Sequence, residues 1–232
     1  MEAHEILDGL RGVSVFSDLN DEELKGIVDF CRPRTYPKNS MIIIEEEFGD
    51  TVFGICEGTV KITRVNDEGK EVILALLGPG EIFGEMAIID GESRSANALA
   101  QENCILLAFP QNEFLKVLKD YFKVSFALMG ELARRLRKSD QQIEALSLSD
   151  AENRIGVSML NLAEDMGIIR KGKVTIEKLP FQQDIANMAG TSRETVSRVL
   201  KMFEEKNLII KSGHRLIIPD YLFFKRLFGK NL

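Results

Sequence analysis

The run Ala189-Gly190-Thr191-Ser192-Arg193-Glu194-Thr195-Val196-Ser197-Arg198-Val199-Leu200 constrains this chain more than any other stretch. It reads as the turn and second helix of a helix-turn-helix. Gly190 suits the tight turn between helices, because positive φ is free of steric cost only without a Cβ. Ser192 follows as an N-cap whose hydroxyl can take an orphan backbone N–H. Val196, Val199, Leu200 and Phe203 recur at helical spacing and face a core, which leaves Arg193, Glu194, Ser197 and Arg198 on the other face. Such a face fits a major groove, where Arg forks onto guanine and Glu accepts from cytosine N4. The competing reading is an amphipathic surface helix with ordinary charges. The fitting helix before it and the basic surroundings favour the first reading.

Charge is distributed unevenly. The chain carries a net −6, yet residues 151–232 hold 14 Lys and Arg against 9 Asp and Glu, a local balance of +5. Residues 1–150 carry the remaining −11. A basic module on an acidic body suits nucleic acid, since phosphate neutralisation releases counterions whatever the charge elsewhere. No apolar run approaches the roughly 18 residues of a membrane span. The N-terminus, beginning Met1-Glu2-Ala3-His4-Glu5, lacks a basic-then-apolar secretory pattern, so a cytoplasmic protein without a membrane partner is expected. Cys31, Cys56 and Cys104 are scattered and read as packed, reduced thiols. A redox-sensing thiol is the competing reading. No metal is expected, for want of clustered ligands.

Three regions succeed one another. Residues 2–30 place Ile6, Leu7, Leu10, Leu19, Leu24, Ile27 and Val28 at helical spacings, which predicts short helices. From Arg32 to Phe109 the texture is β. Candidate strands are Met41–Glu45, Thr51–Cys56, Thr59–Val65, Glu71–Leu77, Ser95–Ala100 and Cys104–Phe109, with Asn66-Asp67-Glu68-Gly69 as a hairpin turn. Their spacing predicts a compact antiparallel barrel or roll. Residues 111–148 carry one long helical pattern. In it Met129, Leu132, Leu136, Ser139, Ile143 and Leu146 follow an a/d spacing, which predicts a helix pairing with a partner helix. Packing of that helix on its own domain is the alternative. Ser139 in the seam either fixes register or touches something bound there. Asn207–Ile210 and Arg215–Ile218 then read as a two-stranded wing around Lys211-Ser212-Gly213-His214.

A second constellation is Ile82-Phe83-Gly84-Glu85-Met86-Ala87, followed by Arg94-Ser95-Ala96. Glycine admits close approach of an anion to backbone N–H groups. Glu85 can accept from a sugar hydroxyl, and Arg94 can clamp phosphate oxygens with its planar fork. A structural Glu85–Arg94 ion pair explains the same residues equally well. No nucleophile, base and orienter occur together, so no enzyme is expected.

With these motifs in place, the whole chain resembles the cyclic-AMP receptor protein and fumarate–nitrate regulator (Crp/Fnr) family of bacterial transcription factors. Gly84-Glu85-Met86-Ala87 with Arg94-Ser95-Ala96 resembles the family's phosphate-binding cassette, and Ala133-Arg134-Arg135-Leu136 resembles the central stretch of its dimer helix. The resemblance implies an α+β architecture: a cyclic-nucleotide-binding β-roll at 1–120, a dimerisation helix at 121–148 and a winged helix-turn-helix at 149–232. It implies a homodimer through Met129, Leu132, Leu136, Ile143 and Leu146. It also implies a cyclic AMP effector, or another cyclic purine nucleotide, at Gly84, Glu85, Met86, Arg94, Ser95, Ser139 and Asp140. Glu85 then takes the ribose 2′-hydroxyl, and Arg94 and Ser95 the cyclic phosphate. Asp140 departs from the hydroxyl residue that contacts adenine in the cyclic-AMP receptor, so it bears on the choice of base. The implied partner is double-stranded DNA with palindromic half-sites sharing a TGA core. Its bases would be read by Arg193, Glu194, Ser197 and Arg198, and its phosphates held by Ser192, Thr195, Gly213, His214 and Arg215. RNA polymerase is the implied further partner. The family's oxygen-sensing cysteine set is not matched, and the roll shows no haem ligand. Two other readings are a ligand-independent member with a vestigial effector site and a cyclic-nucleotide-binding subunit of a non-DNA system.

Overall fold

The structure is a computed structural model describing residues 3–229 of the 232-residue chain. The N-terminal reading at Met1 and Glu2, and the last three residues of the expected 149–232 segment, lie outside the described residues. The chain divides into two compact units. One comprises the described residues up to Gly69 with Leu74–Arg135, the other Lys70–Ile73 with the residues from Leu136 onward.

Two helices open the chain, α1 (Ala3–Gly12) and α2 (Asp21–Ile27). Asn20 starts α2 with a capping box. Its side chain accepts from the N–H groups of Glu22 and Glu23, and the Glu23 carboxylate accepts from the Asn20 N–H at 2.8 Å. Eight strands follow, interrupted by one short helix. They are β1 (Arg32–Tyr36), β2 (Met41–Ile43), β3 (Thr51–Glu57), β4 (Val60–Val65), β5 (Glu71–Leu77), β6 (Ile82–Phe83), β7 (Asn97–Ala100) and β8 (Cys104–Pro110). The helix, α3 (Met86–Asp90), lies between β6 and β7. The strands form two four-stranded sheets, ordered β1-β8-β3-β6 and β2-β7-β4-β5, as the roll reading expects.

The central strand β8 shows why the roll has two cores. Cys104, Leu106 and Ala108 join Phe53, Ile55, Val60 and Ala98 in one buried cluster. Leu107 and Phe109 point the other way and join Leu10, Phe16 and Ile27 in a second. This is the two-residue alternation of a pleated strand buried on both faces. β1 is not among the candidate strands, because its Arg32-Pro33-Arg34 start resembles a loop. It is an edge strand paired only with β8, where a proline is tolerated.

The helical pattern of residues 111–148 is two helices rather than one. After α4 (Gln111–Asp120), Tyr121 leaves helical geometry at φ −120° and ψ 86°, and α5 (Phe122–Leu148) begins. The Ser125 hydroxyl spans the break by donating to the Leu118 carbonyl at 2.6 Å. Phe114 and Val117 from α4, with Val124 and Leu128 from α5, close the helical core. The expected seam also needs correction. Leu132 packs against that core, and Leu146 lies against the Gly190 turn. With Leu132 turned inward, the apolar stripe open to solvent runs through Phe122, Phe126, Met129, Leu136 and Ile143. Leu136 and Ile143 are 64% and 61% exposed. At about 100° per residue this stripe passes through Asp140 rather than Ser139.

The second unit continues with α6 (Ala151–Met166), β9 (Ile168–Arg170), β10 (Lys173–Ile176), α7 (Gln182–Ala189), α8 (Arg193–Glu205), β11 (Ile210–Ser212), β12 (Arg215–Ile218) and α9 (Tyr221–Phe228). Its sheet runs β11-β12-β10-β9, so the expected two-stranded wing is half of a four-stranded sheet. The first wing strand begins at Ile210 instead of Asn207. Asn207 takes φ +56° as the left-handed residue ending α8, and the Leu208 N–H donates back to the Phe203 carbonyl at 2.9 Å. Ile155, Met159, Val196, Leu200, Phe203 and Phe224 are buried in this unit. Phe203 meets Phe224 edge-on at 6.1 Å.

Phe109 is fully buried and touches the rings of both Phe16 and Phe114. Phe109→Ala is expected to cost about 3–5 kcal/mol, through lost burial and the cavity left behind. Urea denaturation of variant and wild type measures this.

Candidate functional site

In the first unit, the segment between β6 and β7 assembles the residues singled out at 84–95. Gly84 stands at φ +80°, and a Cβ there would press on Arg94 Nη1, Ile43 Cδ1 and the Thr51 carbonyl at 3.0–3.1 Å. Glycine is therefore required twice over, by dihedral and by space. The turn it makes delivers Glu85 to the start of α3 with its side chain only 1% exposed.

Glu85 does not pair with Arg94. Its Oε1 accepts from Arg135 Nη1 on α5 at 2.9 Å, so the structural-pair reading named the wrong arginine. Its Oε2 is buried with no hydrogen-bond partner. Such an orphan acceptor carries an uncompensated desolvation cost, and it marks a place for a donor. Burial raises the pKa of Glu85 above its ordinary 4.5, and the positive charge of Arg135 offsets this only in part.

Arg94, 6% exposed, donates from Nη1 to the Gly84 carbonyl at 2.6 Å and from Nη2 to the Thr51 carbonyl at 2.7 Å. The expected outward fork is thus turned onto main chain, which leaves Nε–H and the second hydrogen of each terminal nitrogen. Burial pushes its pKa down, while the carboxylates of Asp50 and Glu85 hold it up. The surrounding loop is tied to it by main chain: Glu46 N–H donates to the Arg94 carbonyl at 2.8 Å, and Arg94 N–H to the Glu47 carbonyl at 2.9 Å. Ser95 is exposed, with its hydroxyl 3.9 Å from Met86 Sδ, and Met86 is itself half-exposed. Ser139 and Asp140 belong to the second unit and are exposed on α5.

Arg135 is the site residue that sequence reasoning missed. No local motif marks a residue fifty positions from its partner. The available signal was helical phase: Arg135 lies seven residues after buried Leu128, on the inward face, where a cation requires a carboxylate.

In the second unit, Gly190 adopts φ +57° and ends α7, and Ser192 caps α8 by accepting from the Thr195 N–H at 3.2 Å. Val196, Val199, Leu200 and Phe203 are buried, while Arg193, Glu194, Ser197 and Arg198 are exposed on one side of α8. The carboxylate of Glu194 is held below its usual range by its own backbone N–H and then by the Ser192 hydroxyl, so it stays an ionised acceptor. Gly213, His214 and Arg215 are exposed at the turn between β11 and β12. Arg215 already faces Glu177 at 3.1 Å, and the His214 ring meets Phe181 edge-on at 6.3 Å. An ion pair exposed on both sides is worth about 0–1 kcal/mol, so it can be exchanged for a stronger partner. Cys31 is buried, and burial pushes its thiol up to about 12, which leaves no thiolate near neutrality. No helix among the described residues is long and apolar enough to cross a membrane.

Residues 33–121 match the cyclic nucleotide-binding domain, and residues 154–222 match the Crp-like helix-turn-helix domain. The chain is 35% identical to the cyclic AMP receptor protein of Thermus thermophilus, over 86% of this chain and 89% of that one. It is 31% identical to the cAMP-activated global transcriptional regulator CRP of Haemophilus influenzae, over 85% and 88%. The solved structure of FixK2 from Bradyrhizobium japonicum shares the fold, with TM-score 0.74 and 21% identity over 85% of this chain and 96% of that one.

The raised pKa of Glu85 has a defined consequence. The charged form is the costly one, so its stability contribution is whole below pH 4.5 and is lost as pH rises through the folded-state value. Glu85→Gln removes this titration. In urea melts across a pH series, the stability of the variant relative to wild type is expected to climb as pH rises above 4.5.

Proposed function

Since the chain belongs to the Crp/Fnr family of transcription regulators, we propose that it is a homodimeric, non-enzymatic, cytoplasmic DNA-binding regulator. Its effector is a cyclic purine nucleotide, cyclic AMP first, held at Gly84, Glu85, Met86, Arg94 and Ser95. The observation that carries this reading is the orphan Oε2 of Glu85, buried next to a positive-φ glycine and a buried arginine. A sugar hydroxyl supplies the donor that oxygen lacks. The remaining N–H groups of Arg94 supply donors and positive charge for a phosphate. The Thermus and Haemophilus relatives carry cyclic AMP in their names, which supports it as the first ligand to test.

The exposed apolar stripe of α5 supports self-association through that helix, and a two-fold dimer presents paired recognition helices to a palindrome. On DNA, Arg193 and Arg198 read guanines, Glu194 accepts from cytosine and Ser197 completes the reading face. Ser192, Thr195, Gly213, His214 and Arg215 hold phosphates. A TGA core in each half-site and contact with RNA polymerase complete the proposal. The ligand acts by binding the DNA-competent state more tightly than the alternative, a coupling of about 1–3 kcal/mol.

One observation favours a second reading, in which the site is vestigial: each terminal nitrogen of Arg94 already donates one hydrogen bond to main chain. Calorimetric titration with cyclic AMP separates the two. Arg94→Ala is expected to weaken binding by about 1.5–3 kcal/mol, as loss of a charge-assisted contact. Silence of the wild type, or equal titrations of wild type and variant, defeats the assignment.

Base reading is tested separately. Arg198→Ala should cost about 1–3 kcal/mol on the preferred site and flatten discrimination at a single base pair. A panel of single-base operator variants measures this. A uniform loss across the panel makes Arg198 a phosphate contact.

A further inference from the structure

An arginine facing a carboxylate frequently forks onto both oxygens. Arg135 does not. It meets Glu85 through Nη1 alone, 2.9 Å from Oε1, while Oε2 is left without a partner. The other donors of the guanidinium are drawn elsewhere. Nη2 donates to the Ile82 carbonyl at 2.5 Å, and Nε donates to Glu131 Oε1 at 2.8 Å. Glu131 lies one helical turn earlier on α5 and is itself held. Arg134 donates to its two oxygens through Nε and Nη2 at 2.7–3.0 Å, and Arg134 Nη2 also lies 3.7 Å from Glu81 Oε1. Glu131 is 13% exposed. Burial would raise its pKa, but the Arg134 hydrogen bonds and the charges of both arginines bring it below the ordinary range, so it remains an anion.

We propose that Glu131 is a positioning residue for the effector site. By holding Nε of Arg135, while the Ile82 carbonyl holds Nη2, it keeps the guanidinium from turning to fork onto Glu85, and so keeps Oε2 open as the acceptor for the ligand's ribose 2′-hydroxyl. Without Glu131 the Nε–H is orphaned, and attraction turns the guanidinium until two N–H groups meet the two oxygens of Glu85. Both oxygens of Glu85 are then satisfied within the protein, and the hydroxyl finds no acceptor. The anion of Glu131 acts in the same direction by repelling negative charge on Glu85, which makes that carboxylate a stronger acceptor for a neutral donor.

This inference rests on the cyclic-nucleotide reading of the site, and its test separates the two. Cyclic AMP and 2′-deoxy cyclic AMP are titrated calorimetrically into the full-length wild type and into Glu131→Met, Glu131→Ala and Glu131→Gln. Met keeps the aliphatic stem and helix propensity while removing the acceptor. Ala repeats the removal with a different shape. Gln restores one carbonyl oxygen for Arg135 Nε. The wild type is expected to prefer the ribose form by roughly tenfold or more, the value of a hydrogen bond to a charged group. In the Met and Ala variants the two ligands are expected to bind within about twofold of each other, through weaker binding of cyclic AMP alone, with most of the preference restored by Gln. An unchanged preference in the Met and Ala variants, or an equal loss of both ligands, overturns the role of Glu131 while the nucleotide reading stands. Wild-type silence toward both ligands overturns the nucleotide reading and this inference with it.

Discussion

The first unit is organised around a carboxylate that water does not reach. Burying Glu85 carries a desolvation penalty that only a held cation can offset, and Arg135 is that cation. The pair fixes more than itself. Arg135 sits on α5, whose Val124 and Leu128 enter the helical core, so the ion pair and the apolar contacts hold the same stretch of helix against β6 and the start of α3. Removing Arg135 would leave an uncompensated buried charge, whereas replacing the pair by apolar residues would not. A fold has no need of this arrangement for stability alone, and the unsatisfied Oε2 makes it a poor stabilising device.

That imbalance distinguishes Glu85 from the other carboxylates of this unit. Glu23 has the Asn20 backbone N–H and Lys123 around it, Glu131 has Arg134 and Arg135, and both carboxylates are held below the ordinary range. Glu85 is shifted the other way. Arg94 shows the complementary state: a buried cation whose hydrogen bonds go to carbonyls rather than carboxylates, so that its charge is screened but not cancelled. An unfilled acceptor and an uncancelled cation, separated by the Gly84–Glu85 turn, match a molecule with a hydroxyl at one end and an anion at the other.

What the sequence disclosed depended on range. The α8 pattern, the Ser192 cap and the Gly190 turn rest on neighbours within a few residues, and each appears as read. That Cys104–Phe109 forms a strand was equally plain, but its continuous apolar run does not say which side chains face which core. Pairing across the chain was not. Glu85 had Arg94 nine residues away as the obvious partner, and the structure brings Arg135 from fifty residues away instead. Periodicity shows no break at Tyr121, since aromatic residues occur within helices; a helix starting at 121 was implied by the family resemblance alone, and α5 starts at Phe122. Leu132 fits the a/d seam by spacing alone. Only burial shows that it faces its own core, which shifts the open stripe onto Asp140. Asn207 reads as the start of a strand until the helix before it needs a left-handed residue to end on.

In the second unit the same economy of charge serves to place a surface. Arg154 of α6 donates through Nε to the Ala189 carbonyl at 2.9 Å and through Nη1 to the Ser149 carbonyl at 3.0 Å, and its Nη2 lies 3.4 Å from the Gly190 carbonyl. A cation at the C-terminus of α7 satisfies carbonyls the helix cannot and complements its dipole. It also ties the turn of the helix-turn-helix to the residues that follow α5. The position of α8 is thus set from beneath, by Arg154 at the turn and by Val196, Leu200 and Phe203 in the core. Its outward side chains contribute little to holding it there. Arg193, Glu194, Ser197 and Arg198 are accordingly available to answer to a partner, since the structural constraints on α8 act from its buried side.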